Sequence, residues 1–281
     1  MRELYYLNNF GQSVNFMDWP YKVSESDLFD YEWSYESRNS INPKISRFYR
    51  ELTEKSLKIS VTAASSNQYS QALQKLLEVT ERDVLNLSPG KLYVDGEYLS
   101  CYIYKSKKAD WVPGVTFLTN TFSIVSETGS WIKETTTPFR ATGSVEVLSE
   151  SASKNLDYNC DYLMDYASSI IGRNLFSDGF SDMDFEITIY GGCQNPEIHI
   201  AGHTYGVDCQ LETGEYLKIN SVSKKVYKVE INGTQINQFH LRNRDHYIFQ
   251  KIPPGNIPVT WNGTFGFDVT LMEKRSEPRW T

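Results

Sequence analysis

The sequence predicts a mainly β protein in two parts: a β-rich N-terminal part with one α-helix, then a C-terminal antiparallel β-sandwich. Three observations carry this reading. Apolar and polar residues alternate through much of the chain, as on strands with one face buried. One stretch, after Ser65, shows apolar residues at i, i+3 and i+4 with no Gly or Pro. In the last third, short alternating runs recur every 8–12 residues or so between turn signals, the pattern of a sandwich. At 281 residues the chain has reached the length where single cores stop growing, so two domains are expected, over 1–137 and 138–281.

The elements follow in order. Leu57, Ile59 and Val61 alternate with Lys58, Ser60 and Thr62, giving a strand with one face in. Ser65 or Ser66 caps a helix over Gln68 to Leu77, with Leu73, Leu76 and Leu77 on one face. Glu81 to Leu87 extends it or adds a second turn, and Pro89-Gly90 ends it. Lys91 to Val94 and Tyr98 to Tyr104 read as a hairpin around Asp95-Gly96. Phe117 to Val125 is a further strand. Trp131 to Pro138 reads as a linker or a crossing strand end, and Gly143 to Leu148 as a strand.

Between the halves, 155–184 reads as an irregular arm in which Asp-Tyr pairs recur every fourth residue. Beyond it, Phe185, Ile187 and Ile189 point one way. Tyr205, Val207, Cys209 and Leu211 alternate, as do Tyr227, Val229 and Ile231 before Asn232-Gly233. Ile257, Val259 and Trp261 run into Asn262-Gly263, and Phe265, Phe267, Val269 and Leu271 run out, which reads as a hairpin.

Composition and motifs exclude more than they propose. No run of about 18 apolar residues is present, so no membrane helix is expected. Residues 1–10 lack the apolar block of a signal peptide, so synthesis in the cytoplasm without export by the general route is expected. The net charge of −7 argues against sequence-specific nucleic-acid binding, which needs a basic face. Cys101, Cys160, Cys193 and Cys209 show no CxxC spacing and read as idle thiols. His199 and His203 read as one alternating strand, about 13 Å apart by strand rise, too far to share a metal. No nucleophile elbow, zinc-helix or phosphate-loop motif occurs, so neither catalysis, metal nor cofactor is expected.

Several segments, taken in order, resemble a family. These are Leu28-Phe29-Asp30-Tyr31, the run Lys91-Leu92-Tyr93-Val94-Asp95-Gly96-Glu97-Tyr98-Leu99 continuing to Ile103, and the Asp-Tyr arm from Asp157. Ile189-Tyr190-Gly191-Gly192-Cys193-Gln194-Asn195-Pro196, Gly214-Glu215-Tyr216-Leu217 and the final Arg275-Ser276-Glu277-Pro278-Arg279-Trp280 complete the set. The chain resembles the distal tail proteins of long-tailed bacteriophages and prophages. That resemblance implies a ring-forming N-terminal belt domain and a galectin-like C-terminal sandwich. It implies a homohexameric hub at the virion's tail tip, through which DNA passes. The implied partners are the tail tube protein, the tape measure protein, the tail-associated hub protein and, in many phages, receptor-binding proteins.

A ring closed head to tail needs two different complementary patches on each subunit. Aromatic residues outside clean strand alternation are the candidates: Tyr5, Tyr6, Phe10 and Phe16 in the N-terminal arm, and Tyr158, Tyr162 and Tyr166 in the Asp-Tyr arm. The alternative reading is a lectin-like module gripping cell-surface saccharide, for which His199, Arg242, Asn243 and Arg244 are the only suitable polar set. A glycan-active enzyme with a scattered carboxylate pair ranks third.

Overall fold

A computed structural model describes residues 3–38, 44–109, 111–141 and 171–280. The chain forms two compact units, Met1–Lys133 with Lys274–Thr281, and Glu134–Glu273. The second is thus inserted into the first, where two consecutive domains were expected. The return of the chain is fixed within the first unit: the Trp280 ring meets Phe29 edge-on at 5.5 Å, and Arg279 lies 3.7 Å from the Glu97 carboxylate. The predicted strand over Gly143 to Leu148 and residues 155–170 of the arm lie outside the described residues, and where the rest of the arm was expected to be irregular, Ile171–Ser177 forms a strand.

In the first unit, β1 (Leu4–Leu7), β2 (Ser13–Asn15) and β7 (Gly90–Val94) lie beside the 13-residue β8 (Glu97–Ala109), in the order β2-β1-β7-β8. A second set, β3 (Tyr21–Ser26), β6 (Thr53–Thr62) and β9 (Phe117–Ser126), pairs in the order β3-β6-β9-β8. β8 serves both: Glu97 to Cys101 pair with β7, and from Tyr102 on it pairs with β9, with a bulge between Ile103 and Lys105. The predicted Asp95-Gly96 turn is present, with both residues in the left-handed region, at φ 47° and 83°.

The helix α1 spans Ser66–Leu85, longer than its minimal prediction. The Ser65 side chain accepts from the Gln68 N–H, and Asn86 closes the far end by donating to the Arg82 carbonyl. Leu87, left-handed at φ 49°, turns the chain away. Tyr69, Ala72, Leu76 and Val79 bury one face of α1 in a core with Leu57, Ile59, Val61, Phe122 and Trp131. Where β7 begins, only glycine fits: a Cβ on Gly90 would stand 2.3 Å from the Tyr6 hydroxyl and 2.4 Å from the Asp83 carboxylate.

The second unit is an antiparallel sandwich. One sheet runs β19 (Gln235–Asn237), β18 (Lys225–Val229), β17 (Tyr216–Asn220), β12 (Asp184–Tyr190), β21 (Phe267–Arg275), β10 (Trp131–Phe139). The other runs β11 (Ile171–Ser177), β20 (Gly255–Trp261), β14 (Glu197–Ile200), β15 (His203–Gly206). A small pair, β13 (Cys193–Gln194) with β16 (Gln210–Leu211), lies apart. Phe185, Ile187, Ile189, Leu217, Ile219, Phe267 and Val269 from the first sheet share a core with Ile198, Ile200, Tyr205, Ile257, Val259 and Trp261 from the second.

Four local expectations need correction. β20 and β21 do not form a hairpin: β20 pairs with β11 and β14, and β21 with β12. The connection over 262–266 carries the chain between layers, held by the Trp261 indole N–H donating to the Phe265 carbonyl at 3.1 Å. His199 and His203 lie on two strands joined by Ala201 and Gly202, both left-handed, so Ile200 pairs with His203. The alternation from Tyr205 to Leu211 buries all four residues but spans β15, a break and β16. In β18, Val226 and Val229 are buried rather than Tyr227, and Ile231 is exposed at its turn.

Candidate oligomer interface

The expected contact residues do not converge on one surface. Tyr6 and Phe16 are fully buried. Phe16 packs against Phe122 at 6.2 Å. The Tyr6 hydroxyl donates to Asp83 Oδ2 at 2.6 Å, while Asp83 Oδ1 accepts from the Asn9 N–H. Burial, with the Cys101 and Asp83 groups nearby, pushes the Tyr6 hydroxyl far above its ordinary pKa, so it stays a donor. These two are therefore core: Tyr6 lies on the inward face of β1, and Phe16 directly follows β2. Tyr5 is half-buried and stacks on Tyr93 at 4.7 Å and 9°. Phe10 is exposed, with the Arg82 guanidinium 5.9 Å from its ring. Tyr158, Tyr162 and Tyr166 lie outside the described residues.

A different surface stands out in the first unit. β4 (Ser34–Arg38) and β5 (Lys44–Tyr49) form a two-stranded ribbon that pairs, among the described residues, with no third strand. Nearly every side chain on it is exposed. Tyr35 and Phe48 face each other across the strands, rings 6.3 Å apart, at 61% and 58% exposure. Ile45, Trp33 and Tyr31 are also exposed. An isolated ribbon is marginal in water, and its exposed Tyr35, Phe48 and Ile45 make it a candidate contact surface.

The ribbon is held at its base and along its length. Arg50 lies over the Trp33 ring at 4.3 Å and donates to the Gly129 carbonyl and to the Ser130 and Ser276 hydroxyls. Burial lowers its guanidinium pKa, while an arginine stays charged in proteins. Glu36 and Arg47 add an ion pair at 2.6 Å, worth little at such exposure. Alternation of Tyr31, Trp33 and Tyr35 was the available signal for this ribbon.

A second, different patch lies at the far end of β8. Among the described residues, Lys105–Ala109 pairs with β9 on one side only, and Tyr104 is exposed. The connection to β9 exposes Trp111, Val112 and Val115, with Phe117 at its end. Among the described residues, β3 likewise pairs only with β6. The first unit therefore offers open strand edges and two unlike aromatic patches, the material a head-to-tail contact requires.

Chemistry-bearing clusters are sparse. Among the described residues no three His, Cys, Asp or Glu side chains are grouped as a metal would require. Cys101, Cys193 and Cys209 are free thiols, and burial raises the pKa of each, that of Cys209 to about 11. No helix among the described residues is long and apolar enough to cross a membrane.

No protein-family model matches the chain, and no curated protein matches it. Solved structures do. The Dit protein of phage SPP1, described as a paradigm of the hub adsorption apparatus in phages infecting Gram-positive bacteria, matches with a TM-score of 0.61 at 12% identity, over 98% of this chain and 99% of that one. A chain of the phage P2 baseplate in its activated conformation with Ca matches at TM-score 0.65 and 11% identity, over 99% and 100% of the two chains. The corresponding baseplate with Sr matches at 0.64 and 11%, with the same coverage. Over nearly its whole length, the chain has the fold of a phage Dit protein.

Proposed function

We propose that this protein is a distal tail protein: a structural hub at the tip of a phage tail, six copies closing into a ring that joins the tail tube to the baseplate and host-adhesion apparatus. The observation that carries the reading is whole-length similarity to SPP1 Dit and to P2 baseplate chains, spanning both units and not one common module. The exposed ribbon and the Trp111 patch support it, being two unlike surfaces on one unit. The partners are a second copy, the tail tube, tape measure and hub proteins and, on the second unit, receptor-binding proteins. DNA passes through the ring without being read. The role is non-catalytic and ends in the virion, after assembly in the host cytoplasm.

Negative-stain imaging of the purified protein tests this. A six-fold ring with a central hole wide enough for duplex DNA is expected. Another closed symmetry would overturn the hexamer, and a globular particle that adds to neither tail tubes nor baseplate parts would overturn the hub.

A further inference from the structure

The helix of the first unit carries more apolar surface than its core uses. Helical spacing places Leu73, Leu76 and Leu77 near one another, yet only Leu76 is buried. Leu73 is half-buried at the edge of the core, Leu77 is 51% exposed, and Leu85 is 75% exposed. The buried side of α1 packs on β8, β2 and β6. Leu73, Leu77, Glu81 and Leu85 follow one another at i, i+4 along an outer flank, with Glu78 beside them. Both glutamates are exposed. The cations of α1, Lys75 and Arg82, lie beyond that flank, where Arg82 donates to Gln12 and stands 5.9 Å from the Phe10 ring. The flank is therefore apolar and acidic.

The β4–β5 ribbon has the complementary character. Tyr35 pairs with Phe48 and Ser37 with Ile45, so the register puts Tyr35, Phe48 and Ile45 on one face. Arg38 and Lys44, the last pair of the register, are exposed, while Arg47 is engaged by Glu36. The ribbon is therefore apolar and basic. The lengths also agree. Leu73 to Leu85 covers about 18 Å of helix axis, and the six residues of β5 cover about 17 Å of strand. The Trp111 patch does not suit the ribbon in the same way. It follows Lys105, Lys107 and Lys108, all exposed, and like charges there would oppose Arg38 and Lys44.

We propose that the ribbon of one copy docks on the leucine flank of α1 in the next copy. Tyr35, Ile45 and Phe48 cover Leu73, Leu77 and Leu85, and Arg38 and Lys44 face Glu78 and Glu81 at the rim. Each copy then gives a ribbon to one neighbour and a helix to the other, as a closed head-to-tail ring requires. The inference rests on the hub reading and deepens it by naming the surface that receives the ribbon. The Trp111 patch is left for a different partner.

The test uses two full-length variants, each lacking one half of the contact. Tyr35→Ser with Phe48→Ser disables the ribbon. Leu77→Gln with Leu85→Gln disables the flank, and glutamine keeps the helix propensity. Each variant alone is expected to melt as wild type does and to sediment as a monomer. Mixed, the intact ribbon of one meets the intact helix of the other, so a one-to-one pair is expected. Adding Glu81→Lys to the ribbon variant should weaken that pair about fivefold at low salt and less at high salt. Adding Lys44→Glu to the flank variant should restore it. A flank variant that assembles as wild type does, a mixture that stays monomeric while wild type forms rings, or a pair abolished by Trp111→Ser would each overturn the proposal and leave the hub standing. A pair formed by variants of a protein that closes no six-fold ring would uphold this contact and remove the hexamer. A monomeric wild type with a silent mixture would overturn both.

Discussion

The two units spend their aromatic residues differently. In the second unit Trp261, Phe139 and Phe267 pack together inside the sandwich, with Phe139 and Phe267 stacked at 4.7 Å and Trp261 edge-on to both. Its open rings, Phe239 and Tyr247, sit beside cations on the connection from β19 to β20. The first unit also buries a core around Trp131 and Phe122, yet it adds a ribbon whose Tyr35, Ile45 and Phe48 are all more than half exposed. Burying such a side chain is worth about 1.5–3 kcal/mol, so covering several of them is the gain that the proposed ring contact would realise. The contrast separates residues that make a unit fold from residues that make units meet.

The largest effect that probes this contrast is in a core. Trp261→Ala empties a fully buried site and removes the indole bond to Phe265, and is expected to cost about 3–5 kcal/mol. Calorimetry should show the loss in the second unit's transition and leave the first unit's in place. Next, Tyr6→Phe leaves the buried Asp83 Oδ2 without its donor and should cost about 1–3 kcal/mol in the first unit, read by urea unfolding. The paired substitution Tyr35→Ser with Phe48→Ser is expected to stay within about 1 kcal/mol of wild type in the isolated chain, because both are exposed. It should abolish assembly all the same.

The smallest effect concerns pH, where the units carry opposite signs. The Glu215 carboxylate accepts from the Glu212 N–H and pairs with Lys228, which holds its pKa below the usual value. A depressed carboxyl pKa gives stability that is present above about pH 4.3 and is lost as pH falls through the folded value. Burial raises the pKa of Glu97 in the first unit despite Arg279, Arg275 and Lys133 nearby. Its contribution is fully present below about pH 4.3 and is lost as pH rises through the folded value. Glu215→Gln should flatten the acid limb of the second unit's stability curve, and Glu97→Gln should remove the loss that the first unit suffers on going from acid to neutral pH.

The sequence made legible whatever follows from local period and turn chemistry. The inward face of β6, the Ser65 cap and the Asp95-Gly96 turn each follow from a few neighbouring residues. It was least legible where a local signal has two tertiary outcomes. Asn262-Gly263 turns the chain equally well within a sheet or between sheets, and only the packing of Trp261 decides. The Ala201-Gly202 turn was hidden because alanine does not advertise a left-handed backbone. Among the expected contact residues, Tyr6 and Phe16 misled because an aromatic in or beside a short strand looks the same in sequence whether buried or open. The ribbon was missed although Tyr31, Trp33 and Tyr35 alternate, because an exposed apolar face and a core face share one pattern.

The most direct test of the central claim is light scattering on wild type and on the Tyr35→Ser, Phe48→Ser pair across a range of concentrations. Wild type is expected at about six times the 32.4 kDa of one chain, and the variant as a folded monomer. A variant that assembles as wild type does, or a wild type that stays monomeric at every concentration, would contradict the assignment of this ribbon as the surface that closes the hub.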